Sequence, residues 1–145
     1  RDLTPENIVL NENGSVKLID FGAANEFVGT ATGTLVGKQA YMAPEQLRGK
    51  ASTRSDIYAL GGTLHYLLTA KDPEPLSESS PKELRPDVPD ALDKMVLKLT
   101  SMEEEERPQS ALTVYEQFAD LRITICGGED TNNGDEKTSN GHEPG

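Results

Sequence analysis

Three oxygen-bearing side chains near the start of the chain have the types and spacing that chemistry on a hydroxyl group needs. Asp2 is a carboxylate able to accept a proton. Asn7 follows five residues on, where a tight loop can turn its amide oxygen towards a metal, and Asp20 adds a charged oxygen. Oxygen donors of this kind suit a hard divalent cation such as magnesium. A proton-accepting carboxylate beside such a cation is the equipment for passing a phosphoryl group from a metal-bound nucleotide to an alcohol. Taken singly, each residue is equally an ordinary turn former, since Asp and Asn cap turns and strand ends through their side chains. Their chemistry depends on whether the fold brings them together.

Two short apolar runs, residues 8–10 and 16–19, flank Asn11-Glu12-Asn13-Gly14-Ser15, and Asn-Gly between such runs favours the positive φ angles of a tight hairpin. The hairpin would bring Asn7 and Asp20, thirteen residues apart, to one end of a two-stranded ribbon, as a shared metal requires. Residues 23–38 hold three threonines and three glycines without helical or alternating period, which predicts a long irregular loop. From 54 to 69, Ile57, Leu60, Leu64, Leu67 and Leu68 fall at helical spacing while Ala59, Gly61 and Gly62 keep the other faces small. That pattern predicts a helix buried nearly all round.

Residues 71–87 contain four of the nine prolines and predict a surface connection with at most a short helix. Two amphipathic helices follow, one on Leu92, Met95, Val96 and Leu99 and one on Ala111, Val114, Tyr115, Phe118 and Leu121, with an acidic turn over 102–108 between them. Residues 127–145 lack large apolar side chains and predict a disordered acidic tail.

A chain of 145 residues allows one domain plus a tail. With 34% hydrophobic residues, 5% aromatic residues and no Trp, its core must be built mainly from Leu, Val and Ile. The net charge of −11, with no basic stripe, argues against nucleic acid and against membrane contact from this segment, and favours basic proteins as partners. The lone Cys126 fits a reducing, cytoplasmic setting and reads as a small, partly buried residue near a domain end. No apolar run approaches the roughly 18 residues of a membrane-spanning helix. His65 falls within the apolar helix and His142 in the tail, neither with a carboxylate or Cys partner at metal spacing.

Arg1-Asp2-Leu3-Thr4-Pro5-Glu6-Asn7, then Asp20-Phe21-Gly22, then Tyr41-Met42-Ala43-Pro44-Glu45 stand in an order that resembles a eukaryotic-type (Hanks-type) serine/threonine protein kinase. The resemblance spans roughly residues 1–122. One such motif alone is weak; the ordered set, with the hairpin and the helix at matching distances, is specific. It implies a mainly α kinase C-terminal lobe with a small β-hairpin (α+β overall) over residues 1–126, with the N-lobe outside this sequence. It also implies ATP-dependent phosphorylation of protein Ser/Thr hydroxyls, with ATP and Mg2+ as cofactors and a protein substrate as partner.

By the same resemblance Asp2 is the catalytic base, and Asn7 and Asp20 hold the magnesium of the nucleotide. Glu45 pairs with Arg107. Asp56 anchors the catalytic loop from the start of the central helix, where a plain helix N-terminal acid is also favoured. Arg1 pairs with a phosphorylated Thr30, Thr32 or Thr34. The glycine-rich loop and the ATP-contacting lysine belong to the N-lobe, so this segment alone is expected to be inactive.

Two positions depart from the family pattern. Thr4 stands where a lysine is usual and Lys38 where a threonine is usual, a reciprocal exchange that would keep both a hydroxyl and an ammonium beside Asp2. It is similar to an arrangement in some bacterial kinases and points to a bacterial member. A pseudokinase scaffold is the alternative that this exchange raises; a small-molecule phosphotransferase would share Asp2, Asn7 and Asp20 but not Glu45, Asp56 and Arg107. Gly33-Thr34-Leu35-Val36-Gly37-Lys38 is not a phosphate loop, because only three residues separate its glycines and Gln39 follows the lysine.

Overall fold

The computed structural model describes residues 3–19 and 38–126. The expectations for Arg1, Asp2, Asp20, Thr30, Thr32, Thr34, His142, most of the 23–38 loop and the 127–145 tail lie outside the described residues. The elements run β1 Ile8–Leu10, β2 Val16–Leu18, α1 Pro44–Leu47, α2 Thr53–Thr69, α3 Pro81–Leu84, α4 Asp90–Leu99 and α5 Ala111–Cys126, with 3-10 turns at Pro5–Asn7 and Glu104–Glu106. The protein is thus mainly helical with a two-stranded sheet, as expected.

The Asn-Gly turn closes the hairpin. Gly14 adopts φ +82°, its N–H donates to the Asn11 carbonyl at 2.9 Å, and the Asn13 side chain accepts from the Ser15 amide at 3.0 Å and hydroxyl at 2.7 Å. The strands pair antiparallel with Ile8 opposite Leu18, Val9 opposite Lys17 and Leu10 opposite Val16.

Helix α2 is the centre of the body. Ser55 Oγ accepts the Ser52 N–H at 3.0 Å at its start, and its last turn ends at Ala70 in the left-handed region, φ 57°. The buried set differs from the one expected. Tyr58, Ala59, Gly61, Gly62, Thr63 and His65 are buried together with Ile57, whereas Leu60 and Leu64 are only partly covered and Leu67 is 61% exposed.

The reason is close approach. A Cβ on Gly61 would stand 2.6 Å from Thr100 Cγ2 and 2.8 Å from Leu99 Cβ, and one on Gly62 would stand 3.1 Å from Tyr41 Cδ1. Neighbouring segments therefore pack down onto the small face, and the leucines flank it. Leu60 and Leu64 join a cluster built on Ile57, Leu99 and Val114, with Met95 and Phe118 packed against it.

Side-chain caps tie the proline-rich connection down. Asp93 in α4 accepts from the Ser80 hydroxyl at 2.8 Å and the Lys82 N–H at 2.9 Å, which caps α3. The Thr100 hydroxyl accepts the Ser79 N–H at 2.9 Å and donates to the Val96 carbonyl at 2.8 Å. In α5, Val114 is buried, whereas Tyr115 is exposed although it shares the expected stripe. Cys126, expected to be partly buried, is exposed at the last position of α5, where few neighbours remain to cover it. No helix among the described residues is long and apolar enough to cross a membrane.

Candidate active site

The hairpin and the turn before it position the backbone at Asn7, one member of the predicted constellation. The Thr4 carbonyl accepts the Asn7 N–H at 3.0 Å, closing the tight Pro5–Asn7 turn, and Pro5 suits the first position of such a turn because it lacks an N–H to leave unpaired. Across the ribbon, Ile19 N–H donates to the Asn7 carbonyl at 2.7 Å. Ile8 lies opposite Leu18 in the same register, so Ile19, the last described residue of the ribbon, pairs with Asn7. Asn7 is held within the described residues; Asp2 and Asp20 lie outside them. Asn7 and Asp20 are oxygen donors, and that donor chemistry fits magnesium. Among the described residues no three His, Cys, Asp or Glu side chains cluster as a metal site.

The loop end is pinned to the helical body at Leu3. Leu3 packs against Ala40, Tyr41 and Ala59, and its carbonyl lies 3.4 Å from the Thr63 hydroxyl, which also donates to the Ala59 carbonyl at 2.9 Å. Thr4 follows Leu3 in sequence and Lys38 precedes Ala40 by two, so the segments that carry these two residues meet at this cluster. Both are half-buried. Asp56 sits in the first turn of α2 on its exposed side.

Tyr41 couples this region to the far end of α2. Its hydroxyl donates to Asp72 at 2.7 Å, and burial, followed by the hydrogen bond and charge of Asp72, pushes its pKa well above the usual phenol range.

Glu45 and Arg107 meet as a buried bidentate pair, Nη1 to Oε1 at 2.6 Å and Nη2 to Oε2 at 3.0 Å. Arg107 is 2% exposed, and it also donates from Nε to the Ser101 carbonyl at 2.8 Å and from Nη1 to the Arg54 carbonyl at 3.1 Å. Its guanidinium carbon lies 5.1 Å from the centre of the Tyr58 ring. Ser55 adds a hydroxyl bond to Glu45 Oε1 at 2.7 Å. Burial alone would raise the Glu45 pKa, but the bonds from Arg107 and Ser55 outweigh it and hold the carboxyl below its ordinary range.

The sequence singled out both members of this pair but not Ser55 or Tyr58, which complete it, nor the bond between Tyr41 and Asp72. The available signal for close packing was Gly61-Gly62 inside an apolar helix, a place where another backbone approaches. Nothing in the local pattern marked a hydroxyl at 55 as a carboxylate partner ten positions away.

Residues 1–126 match the protein kinase domain family. A protein named tyrosine-protein kinase MasK from Myxococcus xanthus is 40% identical, aligned over 86% of this chain and 21% of its own length. The probable serine/threonine-protein kinase PknB of Lactococcus lactis is 39% identical over 74% of this chain and 20% of its own length. The DNA damage-responsive serine/threonine-protein kinase RqkA of Deinococcus radiodurans is 35% identical over 82% and 20%. Among solved structures, the chain is similar to the apo form of PpkA-294, with a TM-score of 0.66 and 27% identity over 81% of this chain and 45% of that one. The chain thus spans about a fifth of the length of these curated relatives.

Proposed function

The chain belongs to the protein kinase family, and from that premise we propose that it is the catalytic-loop and activation-segment half of an enzyme that transfers the γ-phosphoryl group of ATP to Ser or Thr hydroxyls of proteins. The observation that carries the reading is the hairpin register, with Ile19 bonded to the Asn7 carbonyl. It supports the reading because Asp20, which we propose shares a metal with the Asn7 amide, is the next residue in sequence after Ile19. In this reading Asp2 accepts the hydroxyl proton and orients the oxygen for attack. Asn7 and Asp20 would hold magnesium, which when bound neutralises charge on the phosphates. ATP and a single thiol fit a cytoplasmic setting.

Residues 1–126 form the lobe in this proposal, and 127–145 an acidic tail outside it. An N-lobe supplies the glycine-rich loop and lysine, and assembly of both lobes is required for turnover. Lys38 reaches towards the transferred phosphate and Asp2, and Thr4 supplies the hydroxyl that usually stands at the other position. Asp56 steadies the loop that carries Asp2. Arg1 pairs with a phosphate on Thr30, Thr32 or Thr34, and phosphosite mapping that finds this segment unmodified in active enzyme would remove that role. If the exchange is functional, Thr4→Lys with Lys38→Thr recovers activity that each single change loses, whereas additive losses count against coupling.

A second reading, transfer to tyrosine, is favoured by one observation, the 40% identity to a relative named a tyrosine-protein kinase. Phosphoamino-acid analysis of a protein substrate labelled by the complete kinase decides between them. Phosphoserine and phosphothreonine support the first reading, and phosphotyrosine alone overturns it in favour of the second.

A further inference from the structure

Ala59 and Thr63 lie one turn apart on α2, on a side that also touches the Pro5–Asn7 turn. Leu3 packs its side chain against Ala59, beside Ala40 and Tyr41, and brings its carbonyl to 3.4 Å from the Thr63 hydroxyl. Residue 3 is therefore held at two points by one helix face. It stands between Asp2 and Thr4 in sequence, and the Thr4 carbonyl closes the turn that carries Asn7. Because the peptide between Leu3 and Thr4 is planar, a donor on its carbonyl also sets the direction in which the chain enters that turn. Thr63 is 1% exposed and differs from a valine of the same shape by its hydroxyl. That hydroxyl is satisfied by the Ala59 carbonyl at 2.9 Å, a bond that threonine commonly makes within a helix. The internal bond explains why a hydroxyl is tolerated here but gives it no further task. The Leu3 carbonyl supplies one: among the described residues no other donor reaches it, so the contact, the longer half of a shared bond, is a polar tie between the helix and residue 3.

We propose that Thr63 is a positioning residue for phosphoryl transfer, its hydroxyl orienting the Leu3 carbonyl and through it the loop that carries Asp2 and Asn7. This role rests on the reading of Asp2 as the base. It requires no contact between Thr63 and substrate, because a group that fixes the approach of a reacting oxygen acts on the rate without touching it. The two branches of the side chain then divide the work: the methyl fills the interface under Leu3, and the hydroxyl directs the loop. Packing by the methyl affects stability, whereas direction by the hydroxyl affects turnover. The neighbouring Gly62 serves the other strip on the same helix face, since a Cβ there would stand 3.1 Å from Tyr41 Cδ1 and 3.3 Å from Pro73 Cγ. Ala59, Gly62 and Thr63 thus form one seat for the segments on either side of the candidate site, and Thr63 is the member that offers a hydrogen-bond donor to the loop.

The test is a series at position 63 in the complete kinase containing this chain, with 32P transfer to a protein substrate read as kcat and as KM for ATP, and with enzymes compared per folded molecule. Thr63→Val removes the hydroxyl and keeps the shape, Thr63→Ser keeps the hydroxyl and removes the methyl, and Thr63→Ala removes both. The expected result is a kcat lower by about fivefold in the Val and Ala variants, the rate equivalent of one hydrogen bond, and within about twofold of wild type in the Ser variant, with KM for ATP changed by less than about twofold throughout. Should Thr63→Val fold poorly, the contrast of Ser with Ala isolates the hydroxyl by itself. Rates that follow the methyl instead, with Ser as slow as Ala and Val like wild type, would reduce Thr63 to core packing and overturn the proposal. In an Asp2→Ala background, Thr63→Val is expected to slow transfer by less than about twofold further, because both changes act through one loop; losses that simply multiply would overturn the link to Asp2. A Thr63→Val enzyme at the wild-type rate beside an inactive Asp2→Ala enzyme overturns the role of Thr63 alone, whereas an Asp2→Ala enzyme at the wild-type rate overturns the base and the positioning role with it.

Discussion

The hairpin and the helical body are built on opposite terms. In the body, a charged side chain is buried at 2% exposure and given four hydrogen bonds, so that Arg107 ties the 101–107 turn, the start of α2 and the segment at Glu45 into one unit. In the hairpin, the apolar side chains face outward, with Leu10 70% and Leu18 69% exposed, and the ribbon is fixed by its own turn and by the link through Leu3 to α2. The body closes on itself; the ribbon presents the candidate catalytic edge and an uncovered apolar face. Large exposed apolar patches mark surfaces made to be covered.

The division is open to direct attack. The largest effect is expected at the buried pair: Arg107→Ala leaves Glu45 uncompensated and costs about 3–5 kcal/mol of stability, read by urea denaturation of the chain. A loss under about 1 kcal/mol, the range of exposed pairs, would erase the contrast with the surface. Gly61→Ala comes next. The added methyl meets Thr100 and Leu99 at distances that no real Cβ tolerates, so about 1–3 kcal/mol of overpacking outweighs the gain of about 1 kcal/mol in helix propensity. A stabilised variant would show that α4 yields easily.

Acid sharpens the same comparison. The Glu45 carboxyl titrates below its unfolded value, so its stabilisation is present above the unfolded pKa and is lost as pH falls through the folded one. Acid unfolding of the wild type should therefore steepen below the ordinary carboxylate range, and Glu45→Gln should flatten that limb in a pH series of denaturation midpoints. An unchanged limb would mean that other carboxylates control acid stability. The smallest effect belongs to the ribbon: Leu18→Thr should change the stability of this chain by no more than about 0.5 kcal/mol, as for other exposed positions.

Local signals carried the hairpin and the amphipathic helices well. Asn13-Gly14 specified its turn through the positive φ of the glycine, and Val96 and Leu99 of the α4 stripe are buried as their spacing required. The central helix was legible as a helix but not in its burial, because periodicity ranks residues by size and polarity while Gly61 and Gly62 act by what they allow to approach. The Glu45–Arg107 contact, 62 positions apart, is invisible to any local pattern and came only with the family resemblance. The Ser55 hydroxyl and the Tyr41–Asp72 bond were missed because both depend on how α2 meets segments remote in sequence. Tyr115 was misplaced for a related reason, since a stripe shows which residues share a face but not how far its neighbour extends.

The central claim, that the edge presented by the ribbon is a phosphoryl-transfer site with Asp2 as its base, is tested most directly by 32P transfer from γ-labelled ATP to a protein substrate. The complete kinase containing this chain is compared with its Asp2→Ala variant, matched for folding by denaturation midpoint. The account predicts that kcat falls by at least about 100-fold, the lower bound of what a positioned general base contributes. An Asp2→Ala enzyme that transfers label at the wild-type rate would contradict it.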